Sequence, residues 1–138
     1  MTASWGEVDG HRVRVGCDVV AIDEVRDSLS GFGERYLHKV FTAGEIDDCQ
    51  GHNQVHKLAA RFAAKEAVIK AFADPDMSFS LHEIEVTRDG PLPVIRLSGA
   101  IADQAQHQGW LSTSLSLSHA DCHAMAVVVV VCGPAESE

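Results

Sequence analysis

The sequence predicts an α+β fold, an antiparallel sheet packed on one long helix with short helices beside it. Two apolar segments near the ends of the chain, residues 13–19 and 124–132, read as strands, and residues 56–73 form one long alanine-rich helical stretch. The segments between them switch from short helical patterns to a strand pair, the mixed order expected of α+β rather than of a repeating βα unit. At 138 residues the chain has room for one domain.

The elements follow in order. Val13, Val15, Cys17 and Val19 alternate with Arg14, Gly16 and Asp18, so the first strand carries Asp18 near its end. Residues 23–29 read as a short helix that Ser30-Gly31-Phe32-Gly33 breaks, and residues 34–41 as a second. Thr42 with Glu45 three residues later makes a capping box, which starts a third helix at Ala43 that runs to about Cys49. The long helix, His56 to Ala73, stops before Pro75; at 100° per residue Leu58, Phe62 and Ile69 share a stripe with Phe72 on its edge. That stripe is expected to be buried, with Lys65 projecting from its middle. Residues 83–87 and 94–97 form a hairpin through Arg88-Asp89-Gly90-Pro91, residues 100–107 a helix ended by Gly109, and residues 111–119 a strand. Ala124 to Cys132 is apolar on both faces and is expected to be covered on both. Residues 1–11 and 133–138 read as flexible ends of the single domain.

Hydrophobic residues make up 46% and charged residues 22%, an ordinary globular balance. The longest apolar run, residues 124–132, falls far short of the roughly 20 residues that span a bilayer, and the first ten residues lack the build of a secretory signal. A cytoplasmic protein with no membrane partner is expected. With 11 basic against 20 acidic residues and a net charge of −9, nucleic acid is a poor partner. Four of the 11 basic residues (Lys57, Arg61, Lys65, Lys70) nevertheless fall within 14 positions, which suits a small polyanion. Cys17, Cys49, Cys122 and Cys132 form no CxxC pair and read as reduced thiols.

Three constellations carry possible chemistry. Cys49, His52 and His56 have a C-x2-H-x3-H spacing but no second ligand pair, and His119 with His123 is equally incomplete, so structural zinc is not the favoured reading. Ser116 or Ser118 beside His119 lacks the Gly-x-Ser-x-Gly elbow of a serine hydrolase. The third is Arg61-Phe-Ala-Ala-Lys65-Glu66-Ala-Val-Ile-Lys70 taken with Asp18. Glu66 and Lys70 alone would be an ordinary i,i+4 surface pair. An aspartate half-buried on a strand and a lysine on an apolar helix stripe fit instead a magnesium site: one or two carboxylates hold the ion and nearby Lys and Arg take phosphate charge.

These residues resemble the signature of a known family, the holo-acyl-carrier-protein synthases, the small class of 4'-phosphopantetheinyl transferases. Gly16-Cys17-Asp18-Val19-Val20 is similar to its opening G-x-D motif and Phe41-Thr42-Ala43-Gly44-Glu45 to its F-T-x-x-E. Arg61 through Ala67 with Lys70 resembles R-[FW]-A-A-K-E-A-x-x-K, and Leu115-Ser116-Leu117-Ser118-His119 resembles V-S-x-[ST]-H. The resemblance covers nearly all of residues 13–132. It implies a pseudo-symmetric, trimeric 4'-phosphopantetheinyl transferase-like fold with an active site at each subunit interface. It also implies magnesium-dependent transfer of phosphopantetheine from coenzyme A to a serine of an acyl or peptidyl carrier protein, with release of adenosine 3',5'-bisphosphate. Carried over, Asp18 and Glu66 become the metal ligands and Glu66 and Lys70 the catalytic pair; Arg61, Lys65, Lys70, Ser118 and His119 surround the coenzyme A.

The chain departs from the family pattern at three points. Asp89-Gly90-Pro91-Leu92-Pro93 offers no basic residue where the family has a Gly-[KR]-Pro turn, Ala120 follows the histidine in place of Ser or Thr, and Glu24 stands where a basic residue meets the carrier. Two rivals accompany this reading. A non-catalytic coenzyme A or carrier-binding module would lose the metal carboxylates, and both are present; another magnesium phosphotransferase would show a P-loop or kinase glycine loop, and neither occurs.

Overall fold

The structure, a computed structural model, describes residues 5–134. Strand β1 (Gly6–Val8) turns into β2 (His11–Ala21), followed by helices α1 (Ile22–Phe32), α2 (Glu34–Val40), α3 (Ala43–Asp48) and the long α4 (Gln54–Phe72). A short 3-10 helix (Leu81–Glu83) leads into the hairpin β3 (Ile84–Asp89) and β4 (Leu92–Leu97), then α5 (Gly99–His107), β5 (Trp110–His119) and β6 (His123–Cys132). The main sheet is antiparallel throughout in the order β1-β2-β6-β5, and β3-β4 form a separate two-stranded sheet. The α+β expectation of an antiparallel sheet on one long helix is met.

The start of the chain corrects the sequence reading. Residues 6–8, expected to be flexible, pair with β2 through a two-residue turn in which Asp9 (φ 52°) and Gly10 (φ 81°) are both left-handed. An Asp-Gly pair is the usual sequence of such a turn, but the three residues before it alternate too weakly to announce a strand. Residues 1–4 and 135–138, also expected to be flexible, lie outside the described residues.

Helix α1 also runs further than expected, through Ser30 and Gly31 to Phe32. A glycine in a last turn costs only about 1 kcal/mol, so the helix ends where the backbone must turn left-handed, at Gly33 (φ 56°), whose N–H caps Leu29 O. The capping box forms as the sequence predicts: Glu45 N–H donates to Thr42 Oγ1, and Thr42 N–H donates to Glu45 Oε1.

Helix α4 lies across β2 and β6, and it buries the predicted stripe only in part, adding a broad alanine face. Ala59, Ala60, Ala63, Ala64, Ala67, Val68 and Ala71 are buried with Leu58 and Phe72, whereas Phe62 and Ile69 are only half-buried. Small side chains let the helix settle close to the sheet. At Gly16 the approach is so tight that any Cβ would collide with the carbonyl of Ala67. The helix end is tied down by Arg14, which donates to Ala71 O (3.1 Å) and Phe72 O (3.0 Å), and by Phe72 stacking on Trp110 at 4.1 Å.

Burial alternates along β6. Ala124, Ala126, Val128, Val130 and Cys132 face α4 and are buried, while Val127, Val129 and Val131 are half-buried and Met125 is 41% exposed. On the same outer face of β2, Val15 and Val19 are 46% and 58% exposed. Within one chain the strand is therefore covered fully on one side only.

Candidate active site

Close packing at Gly16 determines what stands near α4. Asp18, two residues further along β2, points to the same side and is opposite Ala126 of β6. There it meets Lys70, whose Nζ lies 3.0 Å from Asp18 Oδ1. The Asp18 side chain is 16% exposed and that of Lys70 56%, so the pair lies at the mouth of the packed layer. The hydrogen bond to Asp18 raises the Lys70 pKa above its usual 10.5. Glu66 is half-buried one turn earlier; burial first, then the charge of Asp18, raises its pKa above 4.5, and Lys70 opposes this. Two carboxylates thus stand near one partly solvated ammonium that is bound to Asp18, an arrangement with a surplus of negative charge and spare oxygen ligands. Magnesium suits such a donor set, since it takes one or two carboxylates and fills its octahedron with water and phosphate.

A second group lines a cleft of about 720 Å³ between the first half of α4, the β3–β4 hairpin and the end of β5. Lys57 and Arg61 enter it from α4, Arg88 from β3, and His119 from β5. Arg61 is buried, yet its guanidinium makes only a 3.4 Å bond to Lys57 O and its Nε has no partner among the described residues. Neither Lys57 nor Arg88 is in an ion pair among the described residues. Three cations without carboxylate partners around one cleft, in a chain of net charge −9, make an anion site. His56 stands at the same cleft with its ring 6.1 Å from that of His119.

The basic cluster of the sequence is thereby divided into three. Steps of four residues advance about 40° around a helix, so Lys57, Arg61 and Lys65 drift along one side while Lys70 leaves about 140° away from Lys65. Lys65 corrects the sequence expectation: it is fully buried, 2.7 Å from Glu45 Oε1, and donates to Leu81 O (2.8 Å) and Ile84 O (2.6 Å). Its ammonium is spent inside the core and is not placed to take a phosphate. Burial lowers its pKa below 10.5, while Glu45 and then Glu85 act the other way. Ser118 is exposed on the face of β5 opposite to His119 and does not line the cleft. Cys49, His52 and His56 form no metal-binding group, and no cluster of three or more His, Cys, Asp or Glu occurs among the described residues. Burial pushes the Cys49 thiol up to about 11.

Residues 14–128 match the model of the 4'-phosphopantetheinyl transferase superfamily. The chain belongs to that superfamily, among its holo-[acyl-carrier-protein] synthases. A holo-[acyl-carrier-protein] synthase of Desulforudis audaxviator is 37% identical over 126 residues, 90% of this chain and 95% of the relative. One of Chloroflexus aurantiacus is 41% identical over 135 residues, 86% of this chain and 97% of the relative. Among solved structures, a coenzyme A complex of the synthase from Chronobacterium ammoniagenes aligns with a TM-score of 0.76 at 30% identity, covering 87% of this chain and 97% of that one. The Neisseria meningitidis synthase gives the same TM-score at 28% identity, covering 85% and 96%. The synthase fold is therefore the fold of this enzyme, and the matched segment contains Asp18, Glu66, Lys70 and His119. No described helix is long and apolar enough to cross a membrane.

Sequence reasoning missed Arg88, which stands one residue before the turn where a basic residue is lacking and reaches the same cleft. It also missed the pairing of Glu45 with Lys65. The capping box announced where the Glu45 side chain turns back, and a lysine on a buried helix face announced the need for a carboxylate, but only the fold joins them.

Proposed function

We propose that the enzyme transfers the 4'-phosphopantetheine group of coenzyme A to a serine of an acyl or peptidyl carrier protein. In this reaction the serine Oγ forms a bond to the phosphorus that bears pantetheine. The bond from that phosphorus to the bridging pyrophosphate oxygen breaks, and adenosine 3',5'-bisphosphate leaves. The observation that carries the reading is the Asp18–Glu66 carboxylate pair with Lys70 beside it.

Asp18 and Glu66 would hold magnesium, which when bound neutralises pyrophosphate charge. The residues of the chain do the rest. Arg61, Lys57 and Arg88 hold the nucleotide phosphates in the cleft, and His119 borders it. Glu66, half-buried beside Asp18, takes the serine hydroxyl proton. Lys70 faces the charge that develops on the leaving oxygen.

Arg61 and Glu66 leave α4 about 140° apart, so one chain does not bring the cleft to the carboxylates. A homotrimer, in which the carboxylates of one subunit face the cleft of the next, resolves this, and the half-covered valine face of β2 and β6 supplies the contact. For the carrier, α1 is a poor dock: Asp23, Glu24 and Asp27 are exposed and Arg26 is tied to Asp23. On α2, Arg35 and Lys39 are exposed one turn apart with no ion pair among the described residues, beside Phe32, which is 64% exposed. An acidic carrier helix fits that surface.

The test is product release. Chromatography of a mixture of enzyme, coenzyme A, magnesium and an apo carrier protein is expected to show adenosine 3',5'-bisphosphate formed only when the carrier is present. Release without a carrier would mark a hydrolase instead.

A further inference from the structure

Helix α4 meets the sheet through alanines, which allow close contact but offer few knobs to fix the rotation of the helix about its axis. Lys65 supplies what the alanines lack. Its three ammonium protons match three acceptors, Glu45 Oε1, Leu81 O and Ile84 O. Glu45 is itself held: Oε1 accepts from Thr42 N–H (2.9 Å) and Oε2 from Val86 N–H (2.9 Å). One buried pair therefore joins α3, the 3-10 helix and β3 to the middle of α4. Glu66 is the next residue after Lys65, so the rotation that Lys65 fixes sets the direction in which Glu66 leaves the helix. Val86, pinned by Glu45, begins the stretch of β3 that lines the cleft as far as Arg88. An apolar pair would fill the same volume without the desolvation of two charges, but it would not hold α4 at one angle.

We propose that Glu45 and Lys65 are positioning residues that set the metal carboxylate Glu66 and the β3 wall of the cleft in register, beyond any share they have in stability. The proposal rests on the magnesium reading of Asp18 and Glu66. Outer residues that orient metal ligands typically change affinity by about 10 to 100-fold.

The test uses the full chain, with Mn2+ as the probe and free Mn2+ followed by electron paramagnetic resonance, in parallel with carrier turnover. In the double variant Glu45→Gln with Lys65→Met, the glutamine oxygen keeps an acceptor for one of the two N–H groups, Thr42 or Val86, and no buried charge is left unpaired. At wild-type helix content, its Mn2+ Kd is expected to rise about tenfold and its kcat to fall at least as far. A folded double variant with Mn2+ Kd and kcat within about twofold of wild type would overturn the proposal. Should the double variant not fold, Glu45→Asp draws the carboxylate back by one methylene from Lys65, Thr42 N–H and Val86 N–H while leaving a charge opposite the ammonium. That variant is expected to weaken Mn2+ binding by about threefold, and unchanged affinity there overturns the proposal equally. Wild-type protein that binds no Mn2+ would refute the magnesium reading itself, a failure seen before any variant is made.

Discussion

The ammonium of Lys70 lies 3.0 Å from Oδ1 of Asp18 across the α4–β2 contact, and Glu66, four residues before it on its own helix, is not its ion-pair partner. The lysine therefore marks the strand aspartate as part of the site. Burial, and then the charge of Asp18, raise the Glu66 pKa against the pull of Lys70.

Removing either carboxylate takes away half of the protein ligands proposed for magnesium. Asp18→Ala and Glu66→Ala are each expected to lower transfer by orders of magnitude at saturating magnesium while retaining wild-type circular dichroism. Near-wild-type turnover by either one removes that residue from the site.

The raised pKa of Glu66 has a consequence for stability. Between 4.5 and its raised folded value the folded state binds more protons than the unfolded one, so this group makes stability fall as pH rises through that window. Glu66→Gln is expected to be more heat-stable than wild type at pH 7 without magnesium, by under about 1 kcal/mol after solvent screening, with the gain gone below pH 4. Thermal melts at the two pH values check this, and equal melting temperatures at pH 7 count against it.

The valine face of β2 and β6 should be buried between subunits. Sedimentation of the wild type is expected to give about three times the 14.9 kDa chain mass. Val19→Lys is expected to give a folded monomer without activity. An active monomer would place the whole site within one chain.

Carrier docking through α2 predicts a charge effect at one substrate only. Arg35→Glu with Lys39→Glu is expected to raise KM for an acidic carrier, most at low salt, with KM for coenzyme A unchanged. Glu24→Arg is expected to lower it. A carrier KM insensitive to the double reversal at both low and high salt would move the dock elsewhere.

Much of this was legible in the residues. Alternation placed β2 and Asp18, the Thr42–Glu45 box placed α3, and Pro75 bounded α4, because each is a local signal with a local cause. The buried face of α4 was legible in part: Leu58 and Phe72 are buried as the stripe predicts, but contact distance, set by Gly16, favours alanine over Phe62 and Ile69. For the same reason the destination of Lys65 was hidden: its partner is 20 positions away on another helix. Close packing at Gly16 is itself testable, as Gly16→Ala would drive a methyl into the Ala67 carbonyl and is expected to cost about 1–3 kcal/mol in denaturant unfolding.

The central claim is tested most directly by intact-mass spectrometry of a purified apo carrier protein after incubation with the enzyme, coenzyme A and magnesium. The account predicts a carrier heavier by one phosphopantetheine group on its serine, with no gain when magnesium is chelated or when Asp18→Ala replaces the wild type. A carrier of unchanged mass, with wild-type enzyme shown to be folded and bound to coenzyme A, would contradict it.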